Sequence, residues 1–160
     1  MEKIKKTNAA RSLDQKHIAY ELIPYPVDEN DLGAEHVAAT LNEPVERVCK
    51  TILVRGDKTG PIIGVVPGHL EIFLKGLAKV SQNKSVETVP LKELLPLTGY
   101  IRGGCTAIGM KKQYVTRIDN SAKALEKMIV SGGKLGMQLE LAPKDLAEAA
   151  CAEFDDITAH

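Results

Sequence analysis

The sequence predicts a mixed α/β fold in one domain. Three observations lead to it. Short apolar runs of strand length alternate with segments of helical spacing. Residues 48–67 form two apolar runs around a Gly-Asp-Lys-Thr-Gly turn, the pattern of a β-hairpin at a sheet centre. No repeat, linker or low-complexity stretch divides the 160 residues, a length that supports one real core.

Asn8 to Lys16 reads as a short helix with Ala9, Ala10 and Leu13 inward and Asn8 as N-cap. Ile18 to Tyr25 is a strand that exits through Pro24-Tyr25-Pro26, where the two prolines hold Tyr25 extended, either lining a pocket or half-buried at an edge. Asp28 to Leu32 is polar loop, Ala34 to Leu41 a helix, and Val45 to Arg47 a helical turn after Pro44. Strands follow at 48–54 and 61–67. Leu74 to Val80 fits a helix, Lys84 to Val89 a strand, and Leu91 to Leu95 a helix entered by Pro90.

Beyond Gly99 glycine punctuates the chain. Gly103 to Met110 is a glycine loop before Lys111-Lys112 and a strand at Tyr114 to Ile118. Ser121 is the expected cap of a helix through Lys127. Met128 to Val130 is a strand, Ser131 to Gly136 a second glycine loop, Met137 to Leu141 a strand, and Pro143 opens a last helix to about Ala152.

Within the hairpin, alternation places Lys50 on one face with Val48, Ile52 and Val54, opposite Cys49, Thr51 and Leu53. An ammonium among apolar neighbours finds an anionic partner, titrates low, faces a cleft where a charged ligand arrives, or snorkels to solvent along its own methylenes. The strand alone leaves these readings open.

Composition narrows the function classes. The chain is 44% hydrophobic and 26% charged, and Lys plus Arg balances Asp plus Glu at 21 each. No global field draws it onto DNA or a membrane, so any polyanion contact is a local patch. Cys49, Cys105 and Cys151 show no CxxC spacing and imply reduced thiols. The basic start, Met1 to Thr7, lacks an apolar segment and no run reaches the ~20 apolar residues of a bilayer span, so the expected location is cytoplasmic.

Familiar catalytic patterns are missing. Gly133-Lys134 lacks the upstream glycine of a phosphate loop, and His17, His36, His69 and His160 are scattered without metal spacing, so no cofactor or metal is expected and the histidines read as surface residues. Cys105, after two glycines, is a conceivable nucleophile or simply a small residue in a tight loop, while Cys49 and Cys151 read as core. The glycine loops are either tight turns or N–H-lined sites for a carbonyl or carboxylate, and Arg102, Lys111, Lys112 and Lys134 either rim such a site or are solvated charges.

Three segments together resemble the YbaK/EbsC family of aminoacyl-tRNA deacylases, related to the editing domain of some prolyl-tRNA synthetases. They are Val48-Cys49-Lys50-Thr51-Ile52-Leu53-Val54; Thr98 to Gly104 with Gly109 to Lys112; and Val130 to Lys134 with Gly136 and Glu140-Leu141. The similarity is greatest to the free-standing Cys-tRNA(Pro) deacylases. The resemblance implies a compact mixed α/β fold with a central barrel-like sheet surrounded by helices, whose cleft holds the aminoacylated end of tRNA. It places the key lysine at Lys50, the neighbouring threonine at Thr51, a pocket tyrosine at Tyr25, loop glycines at Gly103 and Gly104 and a loop serine at Ser131. Leu32 aligns approximately with an aromatic pocket residue. Gln138 stands where some members carry aspartate, and Thr106-Ala107 replaces a commoner Ser-Pro pair.

The mechanism the resemblance implies has the substrate's own cysteinyl thiol attack the ester carbonyl, with the enzyme folding the substrate for attack. Lys50 would orient the aminoacyl-adenosine end and N–H groups near Gly103 and Gly104 the carbonyl. The implied partners are tRNA(Pro) and a prolyl-tRNA synthetase that holds the tRNA. Two other readings stand beside it: deacylation of another residue, as in Ala-tRNA(Pro), and a tRNA- or synthetase-binding module without hydrolysis.

Overall fold

The computed structural model describes residues 6–159, so the stretch Met1 to Lys5 and His160 lie outside the described residues. The chain forms α1 (Asn8–Gln15), β1 (Glu21–Pro24), α2 (Ala34–Leu41), β2 (Cys49–Gly56), β3 (Gly60–Pro67), α3 (Leu74–Val80), β4 (Val86–Thr88), α4 (Leu94–Thr98), β5 (Val115–Asp119), β6 (Met128–Lys134), β7 (Met137–Leu141), α5 (Pro143–Ala150) and β8 (Glu153–Asp155). Short 3-10 turns stand at Val45–Arg47, Leu91–Glu93 and Asn120–Ala124. Among the described residues no helix is long and apolar enough to cross a membrane.

The mixed α/β expectation holds. Its barrel-like centre takes the form of two sheets, ordered β1-β7-β6 and β4-β2-β3-β5-β8, which an isolated parallel bridge between Val48 and Ile129 joins. The β2–β3 hairpin, paired from Cys49↔Pro67 to Gly56↔Gly60, sits inside the larger sheet as expected. Pairing is antiparallel except for β3–β5 and β5–β8.

Burial explains why β2 and β3 read as near-continuous apolar runs. Cys49 and Leu53 enter a core with Leu13, Ile63, Ile118 and Leu139, whereas Val54 enters a second cluster with Ile62, Val66, Leu77 and Ile157. Both faces of the hairpin are covered, and each large aliphatic removed from water contributes about 1.5–3 kcal/mol. A third cluster of Val37, Ala38, Val48 and Ile129 packs α2 onto the seam between the sheets.

Local chemistry departs from the sequence reading at four places. Thr7, not Asn8, caps α1, its hydroxyl accepting the Ala10 N–H at 3.2 Å. Asp119, not Ser121, caps the 3-10 turn at Asn120–Ala124, and no helix reaches Lys127. The other Asp119 oxygen accepts the Ile157 N–H at 3.1 Å and the Thr158 hydroxyl at 3.2 Å, so one buried carboxylate ties the chain's end to β5. The second glycine stretch is strand: β6 continues through a bulge between Ser131 and Lys134, leaving only Leu135-Gly136 as turn. Last, α5 stops at Cys151, whose φ of 52° ends the helix and exposes the thiol expected in the core; the short polar strand β8 follows.

Candidate active site

A cavity of about 350 Å³ opens between α2, β2 and the loop 99–110. Val48 and β2 through Leu53 supply one wall, the entry to α2 another through Leu32, Gly33 and Ala34, and Val89 to Leu94 a third. Arg102, Gly103 and Cys105 close it from the loop, and Ser131 and Gln138 reach it from the smaller sheet. The bridge at Val48–Ile129 brings these two sheets to one site.

Ser131 and Gln138 are direct cross-strand partners, so their side chains share one face. They are 9% and 5% exposed. The Ser131 hydroxyl accepts the Gly133 N–H at 3.2 Å and keeps its own proton for a ligand. The Gln138 carboxamide has no hydrogen-bond partner among the described residues and, unlike the Thr106 hydroxyl, is not sealed from solvent, so it stays open to the cavity. A carboxamide so placed offers both a donor and an acceptor to whatever enters the cavity.

Lys50 lines the same cavity, and its Nζ donates to Glu71 Oε1 at 3.3 Å. The Glu71 side chain is 85% exposed and that of Lys50 24%, so the ammonium lies between solvent and the cavity. The four alternatives for this lysine reduce to one geometry: it has an anionic partner, on the solvent side of a cleft. Register explains the pairing, since Cys49 faces Pro67 and the chain beyond Pro67 turns back over the start of β2. They stand 21 positions apart, so nothing local in the sequence links the two side chains.

The glycine loop mixes structure with site. Gly103 has φ of +83°, and a Cβ there would stand 2.6 Å from Leu135 Cδ2 and 3.4 Å from Leu32 Cδ1. Three loops thus meet at one lip of the cavity. Gly104 is buried behind that lip, where a Cβ would come 3.0 Å from the Lys134 backbone, and its N–H donates to Ile101 O at 3.0 Å. That N–H is therefore spent on the turn and does not face a substrate carbonyl. The Tyr100 hydroxyl donates to Ile108 O and pins the loop across its base. Thr106 is fully buried with its hydroxyl unpartnered among the described residues, so the Thr106-Ala107 pair packs inward and leaves the cavity wall to Cys105.

The cavity thus gathers Lys50, Thr51, Leu32, Gly103, Ser131 and Gln138 from separate segments. Tyr25 is not among its lining residues. It packs, half-buried, on the cluster containing Val37 and Val48, behind the wall, and its N–H donates to Gly136 O at 2.9 Å. Of the basic residues near the glycine loops, Arg102 lines the cavity; Lys112 lies at a separate depression with Lys16, and Lys111 packs against Gly99.

Burial pushes the Cys105 thiol up to about 12, against a smaller opposing effect of a hydrogen bond with Thr98. Burial, with the Asp119 charge, does the same to Cys49. Both cavity thiols are protonated at neutral pH, which argues against Cys105 as a nucleophile. His17 and His69 are exposed, His36 half-buried, and among the described residues no cluster of His, Cys, Asp or Glu has the geometry to hold a metal. The arrangement can bind a polar, anion-bearing ligand and orient it; its own side chains present no activated nucleophile.

Comparison with known proteins places the chain in a family. The chain is 46% identical over 153 residues to a protein of Enterococcus faecalis named "Putative Cys-tRNA(Pro)/Cys-tRNA(Cys) deacylase EbsC", covering 96% of this chain and 93% of the relative. The fold superposes on the solved structure of "a putative trans-editing enzyme for prolyl tRNA synthetase" with a TM-score of 0.83 at 18% identity, over 98% of this chain and 100% of the other. It superposes on "hypothetical protein APE2540" with a TM-score of 0.87 at 21% identity, over 96% and 100%. A family model described as the aminoacyl-tRNA editing domain matches residues 28–149, a span that holds every lining residue of the cavity, and the chain belongs to that family.

Proposed function

We propose that this chain is an aminoacyl-tRNA deacylase that edits mischarged tRNA in trans, with Cys-tRNA(Pro) as its substrate. One observation carries the reading: the cavity joins a lysine at its solvent side to a carboxamide open to its interior, and contains no activated nucleophile. A site so built suits a substrate that brings its own nucleophile.

In the proposed reaction the cysteinyl sulfur attacks its own ester carbonyl. The S–C bond forms, the C–O bond to the terminal ribose breaks, the thiol proton passes to the departing ribose hydroxyl, and water later opens the resulting thiolactone. The protein's contribution is orientation, which in favourable intramolecular cases is worth about 7–11 kcal/mol of barrier. Lys50 holds the anionic end of the RNA and exchanges its exposed partner Glu71 for a phosphate or ribose oxygen. Gly103, the loop glycine that lines the cavity, positions the ester, with Thr51 and Leu32 beside it and Ser131 and Gln138 beneath. Tyr25 acts from behind the wall by supporting Val48.

The balanced charge of the chain gives modest intrinsic affinity for tRNA. A prolyl-tRNA synthetase that retains the tRNA is therefore the proposed partner, and the cytoplasm the proposed location. The test is hydrolysis of Cys-tRNA(Pro) beside Ala-tRNA(Pro) at substoichiometric protein, with Lys50→Ala in parallel. Preferential loss of the cysteinyl ester, abolished in the folded variant, is the expected result. Preferential loss of the alanyl ester would reassign the substrate, and binding without turnover would make the chain a tRNA-binding module.

A further inference from the structure

The cavity lining carries formal charge of one sign only. Lys50 and Arg102 are its cations, and no aspartate or glutamate is among its lining residues. The carboxylates nearest in the chain to those walls have other partners: Glu71 faces Lys50 from the solvent side, Glu93 pairs with Arg55 at 2.7 Å, and Glu140 pairs with Arg47 at 2.8 Å. Asp28 and Asp31 stand beside His36, at 3.9 and 3.6 Å, and Glu29 and Glu35 are exposed; Asp119, whose charge reaches Cys49, is bonded to Ser121, Ile157 and Thr158; none of them lines the cavity. Lys92 and Lys134, on the walls' own segments, add cations and no anion. The remaining polar groups toward a ligand are the Thr51 and Ser131 hydroxyls, the Gln138 carboxamide and the thiols of Cys49 and Cys105, all uncharged at neutral pH.

An aminoacyl ester brings an α-nitrogen whose charge must be accommodated. As an ammonium it would enter a half-enclosed space lined by two cations and by no carboxylate to receive it, which disfavours the charged form by desolvation and by like charge. As a free amine it meets Gln138, whose carboxamide offers both a donor and an acceptor and has no competing partner in the protein.

We propose that the cavity takes aminoacyl esters with the α-nitrogen uncharged, and therefore accepts esters in which a neutral group replaces the amine. The inference rests on the deacylase reading above and adds a substrate class to it: 2-hydroxyacyl esters beside the free-base aminoacyl ester.

The experiment compares tRNA(Pro) acylated with cysteine and with its 2-hydroxy isostere, 2-hydroxy-3-mercaptopropanoate, from pH 6 to 8.5, using the full-length protein. Both esters keep the thiol, so the ionisation of the nucleophile largely cancels in the ratio of their kcat/KM values. The expected ratio of hydroxy to amino ester is near one at pH 8.5 and rises about tenfold per pH unit below the amine's pKa, about 7.7–8.0 for an α-amino group. A second arm uses Gln138→Glu, which supplies the missing anion and should flatten that rise. A ratio that stays constant with pH, or an amino ester turned over faster at pH 6, would overturn the inference and leave the deacylase reading standing. No turnover of either ester, with Ala-tRNA(Pro) also untouched, would remove both.

Discussion

Lys50 and Glu71 form an ion pair of 3.3 Å in which the lysine lines the cavity and the glutamate is largely solvated. Exposed pairs of this kind contribute less than about 1 kcal/mol, so the pair adds little to stability and yields readily to a phosphate. An arriving RNA end must nevertheless displace Glu71. Glu71→Gln is expected to lower KM for the acylated tRNA a few-fold, leave kcat within about twofold, and reduce the dependence of KM on salt. Steady-state kinetics at two ionic strengths check this; a raised KM would mean that Glu71 holds Lys50 in its working position.

The two loop glycines make opposite kinds of prediction. At Gly103 an alanine meets a positive φ and the flexible end of Leu135, so Gly103→Ala should cost about 1–2 kcal/mol of stability while closing the lip and reducing turnover far more than the melting temperature suggests. At Gly104 the new methyl meets the Lys134 backbone, which does not move aside. Gly104→Ala should therefore act chiefly on stability, with the activity of the folded fraction better retained than in Gly103→Ala. Thermal melts with turnover per folded molecule separate the two.

The cavity thiols make a pH prediction. Burial raises Cys49 and Cys105 to about 12 from the ordinary thiol value of 9.0. Below about pH 9 both states hold the proton and the thiols add no pH dependence. From pH 9 toward 12 the unfolded chain loses thiol protons that the folded chain retains, so stability falls as pH rises, by at most about 1.4 kcal/mol per pH unit for each thiol. Denaturant midpoints measured from pH 7 to 10.5 should drop above pH 9, less so in Cys105→Ala. The same protonation predicts that Cys105→Ala leaves the shape of the pH–rate profile unchanged between pH 6 and 7.5.

The sequence made the secondary structure legible wherever the signal was local. The turn at 56–60, Pro143 at the start of α5 and the spacing of Val37, Ala38 and Leu41 in α2 each act through neighbours a few residues away. Capping by Thr7 and Asp119 is not legible in the sequence because the nearby Asn8 and Ser121 carry equally competent side chains, and only the backbone path decides between them. Strand β8 escaped notice because Glu153-Phe154-Asp155 has no apolar alternation; its side chains instead pair with Arg117, 3.5 Å from Glu153 and 3.1 Å from Asp155. In the site, Lys50 announced itself by its oddity on an apolar strand and Gly103 by its neighbours. Glu71, Leu91 and Leu94 did not, because an exposed glutamate and two helix leucines gain meaning only when hairpin register and helix packing bring them to the cavity.

Gln138 gives the last prediction, and it sets stability against function. Gln138 is 5% exposed as a residue, and its carboxamide, open only to the cavity, is partly desolvated with no protein hydrogen bond in return, which costs stability. Replacing it with an apolar side chain of similar length removes that cost and keeps the volume. Gln138→Met is thus expected to leave the fold as stable as wild type or more so, by about 1–2 kcal/mol, while deacylation falls at least tenfold. Chemical denaturation and single-turnover hydrolysis on the same preparation decide it. Lower stability in Gln138→Met would mean that the amide is bonded within the protein and that its place in the cavity floor is structural; unchanged stability with lost activity fits a group kept for what enters the cavity.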